Sequence, residues 1–258
     1  MAQHIRLAKI TDPPRAVGDW AETEAARDIA RSLDMVTASD APGFTMIAGG
    51  PGTGKTTAVT RFCDRLGHDA LFITAARGEG TVWNFAKVLA SLWGHVPAYN
   101  TQADARLIFA GLIGPGKVLV IDEAQYLNQK NRRTGQTGEA FEWLRATADL
   151  GKFHLVFCGD LDLPRAIEAM PQLQSRMMRP VVIHHASRAD VAAIVAGTRL
   201  DRVEFGDVLH GVAKLKGGLR NVVNVARLAQ LFAGDGEVTL EHIRAAIIDL
   251  KLGKGTRV

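Results

Sequence analysis

The sequence predicts an α/β protein: a core built on a five-stranded parallel sheet flanked by helices, followed by a small all-helical unit. Three observations carry this. An apolar run at 44–48 opens directly into a glycine-rich loop and then a helical segment. Four further apolar runs alternate with helical segments up to residue 183, the pattern of parallel strands joined by helical crossovers. No strand-like run follows residue 185, and helical periodicity takes over to residue 250.

The bulk properties agree with a globular protein. At 258 residues, 47% hydrophobic and 22% charged, the chain can fill one large core plus a satellite. Nothing near eighteen consecutive apolar residues occurs, so no membrane span is expected. Residues 1–15 lack the continuous apolar stretch of a secretory signal, and a cytoplasmic location is expected. Cys63 and Cys158 lie among apolar neighbours and read as small buried hydrophobes in a reducing compartment. A net charge of +4 permits a polyanionic partner without demonstrating one.

Along the chain, residues 1–19 carry Pro13, Pro14 and Gly18 and read as an arm. Residues 20–35 turn helical, with Ala25, Ile29 and Leu33 on one stripe. A break at 39–43 precedes the strand at 44–48, and the helix after the glycine loop spans 56–66. A second strand, 70–74, leads through Gly78 and Gly80 to a helix capped by Thr81 and running to Trp93, whose Trp83, Phe85, Leu89 and Trp93 are read as core. A helix at 101–113 ends at Gly114-Pro115-Gly116. The third strand is 118–121, a polar basic connection covers 128–133, and a helix occupies 138–150. Strands at 154–158 and 181–183 complete the sheet. In the last part, Thr239 is placed as an N-cap, with Ile243, Ala246, Ile247 and Leu250 facing inward. The expected division is 1–40 arm and helix, 41–186 core, 187–250 lid and 251–258 basic tail.

The stretch Gly49-Gly50-Pro51-Gly52-Thr53-Gly54-Lys55-Thr56-Thr57 fits the phosphate-loop pattern at every fixed position, in a strand–loop–helix context. Glycines let successive N–H groups turn toward a phosphate, and the helix dipole that begins there favours an anion. Lys55 is expected to reach the β- and γ-phosphates of ATP, and the Thr56 hydroxyl to ligate Mg²⁺. The apolar run 118–121 closes in Asp122-Glu123. Asp122 is expected to hold the same ion, and Glu123 to orient and polarise the attacking water. The eight histidines form no spaced set with the cysteines, so no metal beyond Mg²⁺ is expected.

These motifs together resemble the AAA+ family of ATPases over roughly residues 20–250. The resemblance implies that Asp160, at the end of the fourth strand, is a polar sensor of the γ-phosphate. It implies that Arg176, in Leu173-Gln174-Ser175-Arg176, is an arginine finger acting on the ATP of a neighbouring subunit, with Arg179 in reserve. It also implies that Arg220, in Gly217-Gly218-Leu219-Arg220, is a second sensor carried on the lid.

Within AAA+ proteins, Asp122-Glu123-Ala124-Gln125 and the Trp143-Leu144-Arg145-Ala146 segment are most similar to the transposition target selectors of Mu-type phages and related transposons. That resemblance implies an ATP-dependent protein that binds double-stranded DNA, assembles with itself into a ring or helical filament, selects target sites and activates a transposase. Residues 1–40 are too short for a helix-turn-helix domain, so DNA contacts are expected from the core. By position after the second and third strands these are Arg77, Thr81, Lys130, Arg132 and Arg133. A helicase-loader or replication-type AAA+ ATPase shares every ATP motif and is the alternative. A secretion-system assembly ATPase ranks third, because such proteins usually add a membrane span and a further domain.

Overall fold

In the computed structural model, residues 15–40, 42–131 and 135–252 are described. The strands are β1 (Phe44–Gly49), β2 (Ala70–Thr74), β3 (Val118–Asp122), β4 (His154–Gly159) and β5 (Val181–Ile183). They form one parallel sheet in the order β2-β3-β4-β1-β5. The first helices are α1 (Glu24–Thr37), α2 (Lys55–Leu66), α3 (Val82–Ala90), α4 (Gln102–Ile113) and α5 (Glu139–Gly151). The short α6 (Leu163–Glu168) and α7 (Pro171–Gln174) precede β5. The lid holds α8 (Arg188–Val195), α9 (Gly206–Ala213), α10 (Gly218–Ala233) and α11 (Leu240–Asp249).

Strand side chains alternate between faces, and both faces are covered. Phe44, Met46, Ala48, Leu119, Ile121, Leu155 and Phe157 pack with α3, α4 and α5. Ile47, Val118, Val120, Val156, Cys158, Val181 and Ile183 pack against Ile29 and Leu33 of α1 and Val59 and Phe62 of α2. Cys63 and Cys158 lie within this second layer, and burial pushes both thiols up, Cys63 to about 11. A third cluster, built on Val191, Phe205, Leu209, Val222, Val225, Ile243 and Ala246, forms the lid's own core.

The register lines up the carboxyl ends of the central strands. Ala48 pairs with Gly159 and Thr74 with Asp122, so Gly49, Asp122, Gly159 and the residues after them share one edge of the sheet. In open parallel sheets that edge is where ligands bind.

Several elements differ from the sequence expectation. α3 stops at Ala90, three residues short of Trp93. Trp83 is 40% exposed and stacks on Tyr99 with ring centroids 6.0 Å apart. The reason is angular: two residues along a helix is about 200° of rotation, so Trp83 cannot share the face of Phe85 and Leu89. Residues 15–37 do not form a unit apart. α1 is part of the main core, whereas Val17 is buried in the lid cluster. Leu252, from the segment read as a basic tail, packs against the lid.

One buried polar contact at the opposite edge has a pH consequence. His154, 4% exposed, accepts the Gly43 N–H at Nδ1 over 3.0 Å, and burial lowers its pKa. Protonation is therefore resisted in the folded chain and not in the unfolded one, so stability is complete above the ordinary histidine range and lost as pH falls through it. Melting temperature is expected to drop between pH 7 and 5.5 more steeply for the parent than for His154→Asn, whose amide oxygen can still accept the bond. Parallel curves would remove His154 from the account.

Candidate nucleotide site

β1 delivers the chain into residues 50–54, where Gly52 (φ 76°) and Gly54 (φ 87°) adopt left-handed backbone that a side chain would strain. α2 then begins at Lys55 without a side-chain cap, which leaves its first amides without a side-chain acceptor, as an anion site at a helix N-terminus requires. Thr53 closes the turn by donating its hydroxyl to the Gly50 carbonyl at 2.9 Å. Lys55 Nζ lies over the loop, donating to the carbonyls of Gly49 (2.7 Å) and Gly50 (3.0 Å).

β3 brings the acids alongside. Asp122 is 4% exposed; its Oδ2 accepts the Thr56 hydroxyl at 2.9 Å and its Oδ1 accepts the Glu123 N–H at 3.0 Å. A hydroxyl facing a buried carboxylate is the donor set that a hard cation selects, so Thr56 and Asp122 fit Mg²⁺. Glu123 sits in left-handed backbone (φ 54°), and its carboxylate accepts a hydrogen bond from the Gln125 side chain.

The lid touches this loop directly. Leu219 N–H donates to Gly52 O at 2.9 Å, and a Cβ on Gly52 would lie 1.8 Å from Gly217 O. The Gly217-Gly218 step (φ 123° and 54°) is what permits that approach. α10 then presents Leu219, Arg220, Val223, Asn224 and Arg227 to a cleft of about 710 Å³, whose other wall is Gly18 to Ala21 and residues 52–57. That is the size of small-molecule sites. Another large cleft, between α4, α5, Asn131 and Gly135 to Thr137, is lined by none of these groups among the described residues.

The remaining predicted residues are spread over the molecule. Asp160 directs its carboxylate to the Asp162 N–H at 2.9 Å, closing the turn into α6. Arg176 stands at the opposite edge of the sheet, paired with Asp149 and over the Phe44 ring at 5.8 Å. Arg179 pairs with Asp28, and its carbonyl accepts the Ser32 hydroxyl at 2.7 Å, ties that hold α1 to β5. Arg77 and Lys130 are exposed. Thr81 caps α3 by accepting the Asn84 N–H at 3.3 Å. An antiparallel backbone bridge joins Lys130 to Thr137 and closes the base of the polar connection. Arg132 and Arg133 lie outside the described residues.

Three features went unread in the sequence. Gln125 joins Glu123 to the end of β4, accepting the Asp160 N–H at 3.2 Å. Gln129 joins the two loops after β2 and β3, accepting the Gly80 N–H at 3.1 Å. Arg15 and Arg227 tie the segment lining the cleft to the lid, through the carbonyls of Ala193 and Val17. Only Gln125 had a signal, its place in the Asp-Glu-Ala-Gln motif.

A phosphate loop, a paired Thr and Asp, an acid beyond them and a lid on the loop define an ATPase of the AAA type. A family model described as AAA domain matches residues 38–167, and the chain belongs to that family. Residues 175–250 match the model described as Mu B transposition protein, C terminal. ATP-dependent target DNA activator B of Escherichia phage Mu is 26% identical over 262 residues, covering 98% of this chain and 78% of that protein. Its namesake from Escherichia phage D108 matches with the same identity and coverage. The chain is thus an ATPase resembling the Mu-type transposition protein B.

Solved structures share the fold. The Aeropyrum pernix ORC1 protein in complex with DNA matches with TM-score 0.61 and 18% identity, over 89% of this chain and 66% of that one. Cdc6p from Pyrobaculum aerophilum gives 0.62 and 15%, over 92% and 69%. AMPPCP-bound DnaA from Aquifex aeolicus gives 0.56 and 17%, over 91% and 69%. The chain spans about two thirds of each of these longer proteins. Among the described residues no helix is long and apolar enough to cross a membrane.

Proposed function

We propose that this ATPase binds duplex DNA when loaded with ATP, assembles on it as a ring or filament, selects target sites for transposition and activates a transposase. The observation that carries the reading is the similarity to target DNA activator B along 98% of the chain, through core and lid alike.

In this reading Lys55 and the amides of 50–55 hold the phosphates, and Thr56 and Asp122 hold Mg²⁺, which neutralises charge on the phosphates when bound. Glu123 orients the attacking water and Asp160 monitors the γ-phosphate from the end of β4. Arg176 completes the site of the adjacent subunit. Its distance from its own chain's loop supports that last assignment. Arg220 reads the phosphates from the lid, and the Leu219–Gly52 bond supports a lid position that depends on nucleotide.

For DNA, the bond between Gly80 and Gln129 supports treating the loops after β2 and β3 as one surface. Arg77 and Lys130 would touch phosphates there together with Arg132 and Arg133, and Thr81 would hold the loop's end in place. Such contacts position the protein without reading sequence, and they release counterions. Replacing Arg77, Lys130, Arg132 and Arg133 singly by Ala is expected to weaken ATP-dependent DNA binding and to lower the log–log salt slope by about 1 per lost contact. Wild-type affinity and slope in all four would discard this surface. Stimulation of a cognate transposase by the DNA-bound form then tests the target-selection part.

A further inference from the structure

We propose that Gln125 is a positioning residue for ATP hydrolysis, whose side-chain amide ties the carboxylate of Glu123 to the end of β4. The inference deepens the reading above and rests on Glu123 as the group that orients water.

The geometry begins with the backbone. Glu123 takes a left-handed conformation, uncommon for a residue with a side chain and a form of strain that surrounding structure must sustain. A 3₁₀ turn, residues Ala124–Leu127, follows at once and carries Gln125 back against β4. There the amide is used at both ends. Its nitrogen donates to Glu123 Oε2, and its oxygen accepts the Asp160 N–H. Glutamine suits the place because one neutral group supplies a donor and an acceptor pointing in opposite directions. A glutamate in its place would set two carboxylates against each other, and a leucine would supply neither bond.

The far side of the contact is shaped to receive it. A Cβ on Gly159 would lie 2.5 Å from Gln125 Oε1 and 3.0 Å from Leu163 Cδ2. The φ of Gly159 is not in the left-handed region, so space for the amide, and not backbone freedom, is what glycine supplies. The water-orienting carboxylate and the strand end facing the γ-phosphate are thereby braced as one unit. Glu123 keeps its other oxygen for a second donor, so the brace leaves the carboxylate able to accept from water.

An orienting role predicts a split between binding and turnover. Gln125→Leu is expected to bind ATP within about twofold of the parent and to turn it over roughly 10–100-fold more slowly, the scale of a misplacement of about an ångström. Gly159→Ala, which keeps the glutamine but fills its seat, should give the same split and stands in should the leucine variant not fold. Adding Gln125→Leu to Glu123→Gln should cost nothing more, because residues acting through one group are not additive. Turnover within twofold of the parent in both variants would overturn the proposal. So would a loss of nucleotide affinity and melting temperature in step with rate, which marks a merely structural contact. A Glu123→Gln protein that hydrolyses ATP normally would sink the role of Glu123 itself. A dead Glu123→Gln beside a normal Gln125→Leu would sink only the brace.

Discussion

Arg176→Ala is expected to bind ATP nearly as the parent does and to hydrolyse it at least on the order of 10³-fold more slowly, the effect of withdrawing an arginine finger. The structure sets the competing outcome. Arg176 pairs with Asp149, which also pairs with Arg145, and its guanidinium lies over Phe44. An exposed pair of this kind contributes about 0–1 kcal/mol, so a structural role alone would lower stability slightly and leave the rate intact. Mixing supplies the sharper measurement. When Arg176→Ala and Glu123→Gln subunits assemble together, one type of interface has both an intact arginine and an intact acid, and some turnover should return. No recovery at any mixing ratio would count against a site shared between subunits.

Glu123→Gln and Lys55→Ala are expected to separate turnover from binding. Removing a group that activates water costs on the order of 10²–10⁴ in rate. Since Glu123 lies beyond the loop and not within it, affinity for ATP should persist, and the ATP-bound form should remain on DNA longer than the parent. Lys55 acts in the bound ground state. Its ammonium now rests on two loop carbonyls, and a phosphate would exchange those neutral partners for charged ones. Lys55→Ala should therefore lose roughly 10–100-fold in affinity. A fluorescent-nucleotide titration with equal affinity for Lys55→Ala and parent would remove Lys55 from the site.

The parts of the site visible in the sequence are those in which a single short segment does the chemistry. Wrapping a phosphate needs consecutive backbone amides, so the loop must be contiguous and written in glycine. A buried strand ending in acid is likewise one run of residues. Gln125 illustrates the other kind. Its partners are a neighbour two positions away and a backbone amide 35 residues on, and the second exists only once β4 lies beside β3. Gly80 met Gln129 for the same reason, across 49 residues. Trp83 failed differently: Phe85 and Leu89 share a buried face of α3, but an apolar residue at a discordant angle was counted with them. The strands were legible because each is a compact, mostly apolar run; β1, β3 and β4 are buried along their whole length, while the edge strands β2 and β5 stay apolar although partly exposed.

The stitching of residues 15–25 to the lid has a consequence for recombination between relatives. Arg15 binds carbonyls at the end of α8, Arg227 holds Val17, and Asp190 accepts the Ala25 N–H at 3.2 Å from the first turn of α8. In chain order these pieces are separated by the whole ATPase core. A chimera that exchanges 187–250 alone would strand those contacts, severing the wall of the cleft from the helix that bears Arg220. Lids are exchangeable only as a two-segment cassette, with the stretch before α1 travelling alongside. A crossover point chosen at residue 186 by length and composition alone would cut through the middle of one hydrogen-bonded and packed unit.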